Sequence, residues 1–96
     1  MQVIWTPHAQ ADLVAIRAYV GEADADAANR LIRTLVNSGS ALVDFPDRGR
    51  ASGLESIREL VVSGTPYLLV YRVVTEEVQI LRVWHEAQAR TQDRAA

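Results

Sequence analysis

The stretch Ile57–His85, IRELVVSGTPYLLVYRVVTEEVQILRVWH, decides how this chain folds. Three runs rich in Val, Ile, Leu and Tyr lie in it: Ile57–Val62, Tyr67–Val74 and Val78–His85. Ser63-Gly64-Thr65-Pro66 and Thr75-Glu76-Glu77 separate them. Turn residues between β-branched and aromatic runs predict consecutive antiparallel strands, a β-meander. A sheet this narrow needs a cover for its apolar face, and the preceding residues must supply it. The middle run is apolar on both faces. Tyr67, Leu69, Tyr71 and Val73 share one side; Leu68, Val70, Arg72 and Val74 share the other. The last run divides by alternation into Ile80, Arg82 and Trp84 against Leu81, Val83 and His85. A half-solvated antiparallel sheet alternates apolar and polar residues. This one does not, so its second face calls for a second cover: the chain's tail, another copy, or a partner.

Working outward, the N-terminal half reads as that first cover. Gln2–Trp5 is a short β-leaning run. Thr6 is a good helix N-cap and Pro7 a good first helical residue. Ala9, Leu13, Ile16 and Val20 follow at helical spacing, with Gly21 as the stop; Asp12 and Arg17 fall on other, solvated faces, and His8 is exposed. A second helix starts at Asp24 or Asp26, buries Ala28, Leu31, Ile32, Leu35 and Leu42, and continues to about Val43, before Phe45-Pro46. Gly39 inside it either bends the helix or permits close packing. The short link between the helices predicts an antiparallel hairpin. Asp47–Ser56 shows no periodicity and reads as a loop made locally basic by Arg48 and Arg50. Glu86–Ala96 is polar and alanine-rich, too poor in apolar residues to cover the second face, and its end, residues 91–96, reads as a frayed tail. The fold class is therefore α+β: an N-terminal strand, an antiparallel helix hairpin and a three-stranded antiparallel β-meander, in the order β-α-α-β-β-β, forming one domain over residues 1–90.

Composition narrows the chemistry. Ninety-six residues, 49% of them hydrophobic, suffice for a core without staples. There is no cysteine, which excludes disulfides, thiolate metal sites and thiol catalysis. No Gly-rich phosphate loop and no metal-ligand spacing occurs, so neither cofactor nor metal is expected. No apolar run reaches membrane-span length and no secretory signal opens the chain, so a cytoplasmic protein is expected. The net charge of −2 argues against generic binding to phosphate backbones. All ten basic residues are arginine, which suits forked contacts with carboxylates and phosphates and excludes lysine chemistry. Arg58, Arg72 and Arg82 punctuate the apolar runs; Arg58 and Arg82 project from apolar strands, where an unpaired charge is costly. Carboxylates such as Glu59 and Glu86, or a partner, are expected to meet them. His85, at the end of the last run, reads either as a locally satisfied histidine or as an acid–base group.

These residues carry a family resemblance. Trp5-Thr6-Pro7 with Ala9, Asp12 and Leu13, then Phe45-Pro46 with Gly49-Arg50, then Arg58-Glu59-Leu60-Val61, Pro66-Tyr67-Leu68-Leu69-Val70-Tyr71-Arg72-Val73, and finally Ile80-Leu81-Arg82-Val83-Trp84-His85 with Ala87-Gln88 occur in an order that resembles the RelE/ParE toxin superfamily of bacterial type II toxin–antitoxin systems. The resemblance implies one of two activities. RelE-like members are similar to ribosome-dependent mRNA endonucleases; ParE-like members resemble non-enzymatic inhibitors of DNA gyrase. RNA cleavage needs a base, an acid and cations for the developing phosphorane. Where the RelE branch carries an arginine in the middle strand, this chain has Leu68, which cannot stabilise an anion. Arg58 stands where the RelE branch has lysines and cannot act as a base near neutral pH. A nuclease here would rest on Arg58, Arg82 and His85, with Arg50 beside them.

These departures favour the ParE branch: a growth-arresting gyrase inhibitor, neutralised by a cognate ParD-like antitoxin. A nuclease and a degenerate member that only binds its antitoxin are the alternatives. The resemblance implies partner contacts at Arg50, Arg58, Arg72, Arg82 and His85. It implies an antitoxin-binding apolar surface of Leu68, Val70, Tyr71, Leu81, Val83 and Trp84. It implies no direct DNA binding except through the antitoxin, and no membrane association.

Overall fold

A computed structural model describes residues 1–89. Its elements are β1 (Gln2–Trp5), α1 (Pro7–Gly21), α2 (Ala25–Ala41), β2 (Arg50–Ala51), β3 (Arg58–Val61), β4 (Tyr67–Val74) and β5 (Glu77–His85). The five strands form one sheet in the order β1-β5-β4-β3-β2. The meander β3-β4-β5 is antiparallel as expected, and the helix hairpin covers one of its faces. Two features lie beyond the expectation. β1 pairs with β5 in parallel, which makes the sheet mixed. Arg50–Ala51, read as loop, forms a two-residue antiparallel pair with β3, too short to leave a periodic signal.

Local chemistry sets the helix ends. The Thr6 hydroxyl accepts from the Ala9 N–H at 3.4 Å, and the Asp24 carboxylate from the Ala27 N–H at 3.0 Å. α2 ends at Ala41, two residues before the expected Val43. The backbone N–H groups of Val43 and Asp44 bond three residues back, to Ser40 and Ala41, so the last turn tightens before Pro46. Gly39 permits close packing: a Cβ there would lie 2.5 Å from Cζ2 of Trp5, so α2 lies directly on that indole.

The main core gathers Leu35 and Leu42 from α2 and its C-terminal turn with Leu69, Tyr71, Val78, Ile80 and Val83 from the sheet. Here the simple alternation expected along β5 fails. Val70 registers with Arg82 but Tyr71 with Ile80, so Leu81 is an extra residue, a β-bulge. The bulge resets the pleat. Ile80 and Val83 both face the helices, while Arg82 and Trp84 turn to the second face.

The second face has its own small cluster of Leu68, Val70 and Ala89, with Ile57 and Trp84 packed against it. Residues 86–89 are helical, and Ala89, only 3% exposed, rests on the sheet. The expectation that this segment is too polar to serve as a cover is thereby corrected: one alanine is small enough to bring a helical turn against Leu68 and Val70. The tail expected over residues 91–96 lies outside the described residues.

Candidate functional site

The link from α2 to β2 is fastened to the sheet by a buried tyrosine. Tyr71 is fully buried, and its hydroxyl donates to the Pro46 carbonyl at 2.7 Å and accepts from the Gly49 N–H at 2.8 Å. Gly49 has no room for a side chain. A Cβ would meet the Tyr71 hydroxyl at 2.6 Å and the Glu59 carbonyl at 3.0 Å. Arg58 completes the latch, donating to the Gly49 carbonyl at 2.7 Å, with the Asp47 carboxylate 3.6 Å away. One residue on, Arg50 approaches Glu59 at 3.3 Å. Glu59 is 5% exposed, so Arg50 compensates a buried carboxylate. The Pro-x-x-Gly-Arg spacing is thus a structural requirement: carbonyl, N–H and guanidinium each meet a fixed partner. Glu59 was expected opposite Arg58 or Arg82; it faces Arg50.

Burial raises the Tyr71 phenol above its ordinary value near 10, against the opposing Gly49 N–H and the charge of Arg58. Burial raises Tyr67 as well. A phenol raised in the folded state adds stability that is complete below the unfolded value and lost as pH climbs through the folded one. Stability should therefore fall above about pH 10, and Tyr71→Phe should flatten that fall while costing about 1–2 kcal/mol at neutral pH for the latch. Urea midpoints at about pH 8 and about pH 11 check both parts, and a Tyr71→Phe curve parallel to wild type would contradict the assignment.

A second fixed arrangement joins α1 to β5. Asp12, expected to be solvated, is half-buried and accepts from Arg82 Nε at 2.8 Å and Nη2 at 3.0 Å, and from the Val83 N–H at 2.9 Å. β1 ends at Trp5, so β5 has no strand on that side beyond Ile80. The Thr6 hydroxyl bonds the Ile80 carbonyl there, and Asp12 takes the Val83 N–H next to the bulge. The Asp12 hydrogen bonds raise the Arg82 guanidinium further above its ordinary value, against partial burial. Arg82 also lies over the Trp84 ring, 5.5 Å from its centroid.

His85 is exposed and caps the C-terminal helical turn. Its Nδ1 accepts from the Ala87 N–H at 3.1 Å, and the Gln88 side chain accepts from the His85 N–H at 3.0 Å. This resembles a capping box, with the histidine accepting from the second helical N–H and Gln88, three residues on, reaching back to the His85 N–H. The ring meets Tyr67 edge-on at 5.4 Å.

Register decides which candidate residues come together. Arg50, Glu59, Val70 and Arg82 form one cross-strand row on the second face, and Val61, Leu68 and Trp84 the next. Arg72 shares that face and bonds Gln79 at 2.7 Å. Arg58 and His85 lie on the helix side, opposite Tyr71 and Tyr67. Tyr67 and Tyr71 are four positions apart, about 13 Å of strand. The Arg58, Arg82 and His85 set is therefore split between two faces. Tyr71 and Val83, expected on the antitoxin surface, belong to the main core, because Tyr71 points to the helices and the bulge turns Val83 with it. Leu68 is 1% exposed, beneath Trp84 and Ala89.

The family model for the ParE toxin of the type II toxin–antitoxin system parDE matches residues 3–90. The chain belongs to the ParE toxin family. Toxin RelE2 of Caulobacter vibrioides is 41% identical over 87 residues, 91% of this chain and 97% of that protein. Putative toxin Y4kP of Sinorhizobium fredii is 37% identical over 87 residues, 91% of this chain and 90% of that protein. A solved chain described as the chromosomal ParDE TA system from P. aeruginosa superimposes with a TM-score of 0.79 at 32% identity, covering 88% of this chain and 95% of its own. In this ParE-family chain Thr6, Asp12, Gly49, Tyr71 and Arg82, residues that carry the family resemblance, all act in the two fixed arrangements above. The chain is thus a toxin of a type II toxin–antitoxin system. Among the described residues no helix is long and apolar enough to cross a membrane.

Proposed function

We propose that this toxin arrests growth by binding DNA gyrase in the cytoplasm and is neutralised by a ParD-like antitoxin laid over the second sheet face. The observation that carries the reading is how the candidate catalytic groups are already engaged. Arg82 is neutralised by Asp12, Arg58 is held by loop carbonyls, the His85 Nδ1 caps a helical turn, and Leu68 is buried where an anion-stabilising arginine would be needed. A phosphoryl-transfer site requires these groups convergent on one phosphate.

The second face suits a segment that folds as it binds. Val61 and Val74 are 44% and 41% exposed, and Leu81 and Trp84 are half-buried. Arg50 and Arg72 stand among them, so an antitoxin segment of alternating apolar and acidic residues would complement it.

The relatives named RelE make the nuclease the reading to test against. Induced expression of wild type and His85→Ala should arrest growth equally and leave transcripts intact. Cleaved transcripts that disappear with His85→Ala would reverse the assignment.

A further inference from the structure

Helix α1 is apolar on two sides. Its inner side packs Ala9, Leu13 and Ile16 against the core. Its outer side leaves Val14 and Tyr19 69% and 76% exposed, beside the exposed Ala11, Ala15 and Ala18. The two charged side chains within the helix do not solvate that side. Asp12 is turned to Arg82, and the Arg17 Nε donates to the Asn29 side chain on α2 at 3.1 Å. α2 behaves differently and exposes Arg30, Arg33 and Asn37. A surface helix keeps a polar outer face, as α2 does, whereas one apolar all round is a covered helix. The hairpin lies across the sheet from Leu68 and Trp84, so a cover for α1 is separate from anything laid over the second face.

The two ends of this face give the occupant. His8, Ala11, Ala15, Ala18 and Glu22 recur at spacings of three and four, a heptad seam about 21 Å long on one side of the helix. Glu22, the C-cap, keeps right-handed helical backbone and so stays on the seam. His8 and Glu22 stand seven residues either side of Ala15, and neither side chain has a partner among the described residues. Both also stand at the less favourable end of their own helix dipole: the first turn has no acidic residue, and the carboxylate is at the negative end. A second α1 laid antiparallel about a two-fold axis at Ala15 corrects both misfits. It sets the His8 imidazole and the positive helix end of each copy against Glu22 of the other. It also sets Tyr19 of each near Ala11 of the other, with alanine on alanine at the axis. A membrane surface or an acidic segment would call for arginines, and this seam has none. We propose that the outer face of α1 joins two copies of this toxin, α1 against α1 in antiparallel. One helix pair is a small interface, so the dimer is a weak one, with a dissociation constant on the order of 10 µM.

Sedimentation velocity on the purified full-length toxin, from about 1 to about 200 µM, tests this. Wild type is expected to pass from monomer to dimer over that range. Ala15→Arg, which sets two guanidiniums face to face at the axis, should stay monomeric. Thermal melts should place it within a few degrees of wild type, since Ala15 is exposed. His8→Glu should weaken the dimer about tenfold by setting carboxylate against carboxylate, and His8→Glu combined with Glu22→Lys should restore it. Both substitutions suit the dipole of the isolated helix, so a weaker dimer in His8→Glu is not a sign of unfolding. A wild type that is monomeric throughout overturns the proposal. So does a dimer that Ala15→Arg leaves unchanged, or one that the double variant fails to restore. A monomeric wild type whose growth arrest on induction is relieved by Ala15→Arg would give the face to the toxin's target instead.

Discussion

Asp12→Ala is expected to lower the melting temperature by about 15 °C, the thermal equivalent of about 3 kcal/mol in a domain of this length. The substitution removes three hydrogen bonds at once. The Arg82 guanidinium, 40% exposed, loses both contacts from its carboxylate, and the Val83 N–H loses its acceptor beside the bulge. A lone ion pair at such exposure would contribute little. The backbone N–H makes the difference, because an unmet donor at a partly buried strand costs about 1–3 kcal/mol by itself. Asp12→Asn separates the two contributions. Its amide oxygen still accepts from Val83 while the charge is gone, so it should fall between alanine and wild type. An Asp12→Ala protein melting within a few degrees of wild type would show that Asp12 is not what fastens α1 to β5.

Gly49→Ala is expected to cost about 3 kcal/mol, from overpacking and from the hydrogen bonds it breaks. The new methyl would lie 2.6 Å from the Tyr71 hydroxyl and 2.7 Å from its ring carbon Cε1. Tyr71 is fully buried and cannot swing aside, so the loop must move and lose its bonds to Tyr71 and Arg58. The same geometry predicts non-additivity. Tyr71→Phe removes the oxygen that the methyl strikes, so the double variant should be more stable than the sum of the single costs by about 1 kcal/mol. Strict additivity in chemical denaturation would contradict a clash between these two groups.

The meander was legible because Val, Ile, Leu and Tyr runs broken by Ser63-Gly64-Thr65-Pro66 have few other folded forms. The helix hairpin was legible because Ala28, Leu31, Ile32 and Leu35 keep helical spacing and Thr6 and Asp24 are caps. What stayed hidden was non-local. The parallel partner of β1 is set by contacts some 75 residues away along the chain. The bulge at Leu81 leaves no mark, since Ile80, Leu81 and Val83 are apolar whichever way they face. Asp12 lies off the apolar stripe of α1, and nothing local shows that a strand edge waits for it. Tyr71 reads as a core aromatic, and its hydroxyl gains a purpose only when the loop from Pro46 to Gly49 is placed above it.

A toxin that binds its target and does not cut RNA behaves distinctly on the two candidate targets. Purified toxin assayed in parallel on gyrase supercoiling and on ribosome-dependent translation of a defined messenger tests it directly. Supercoiling should be lost at toxin concentrations that leave translation and the messenger intact. Unimpaired supercoiling at large toxin excess, with the messenger cleaved on the ribosome, would contradict it.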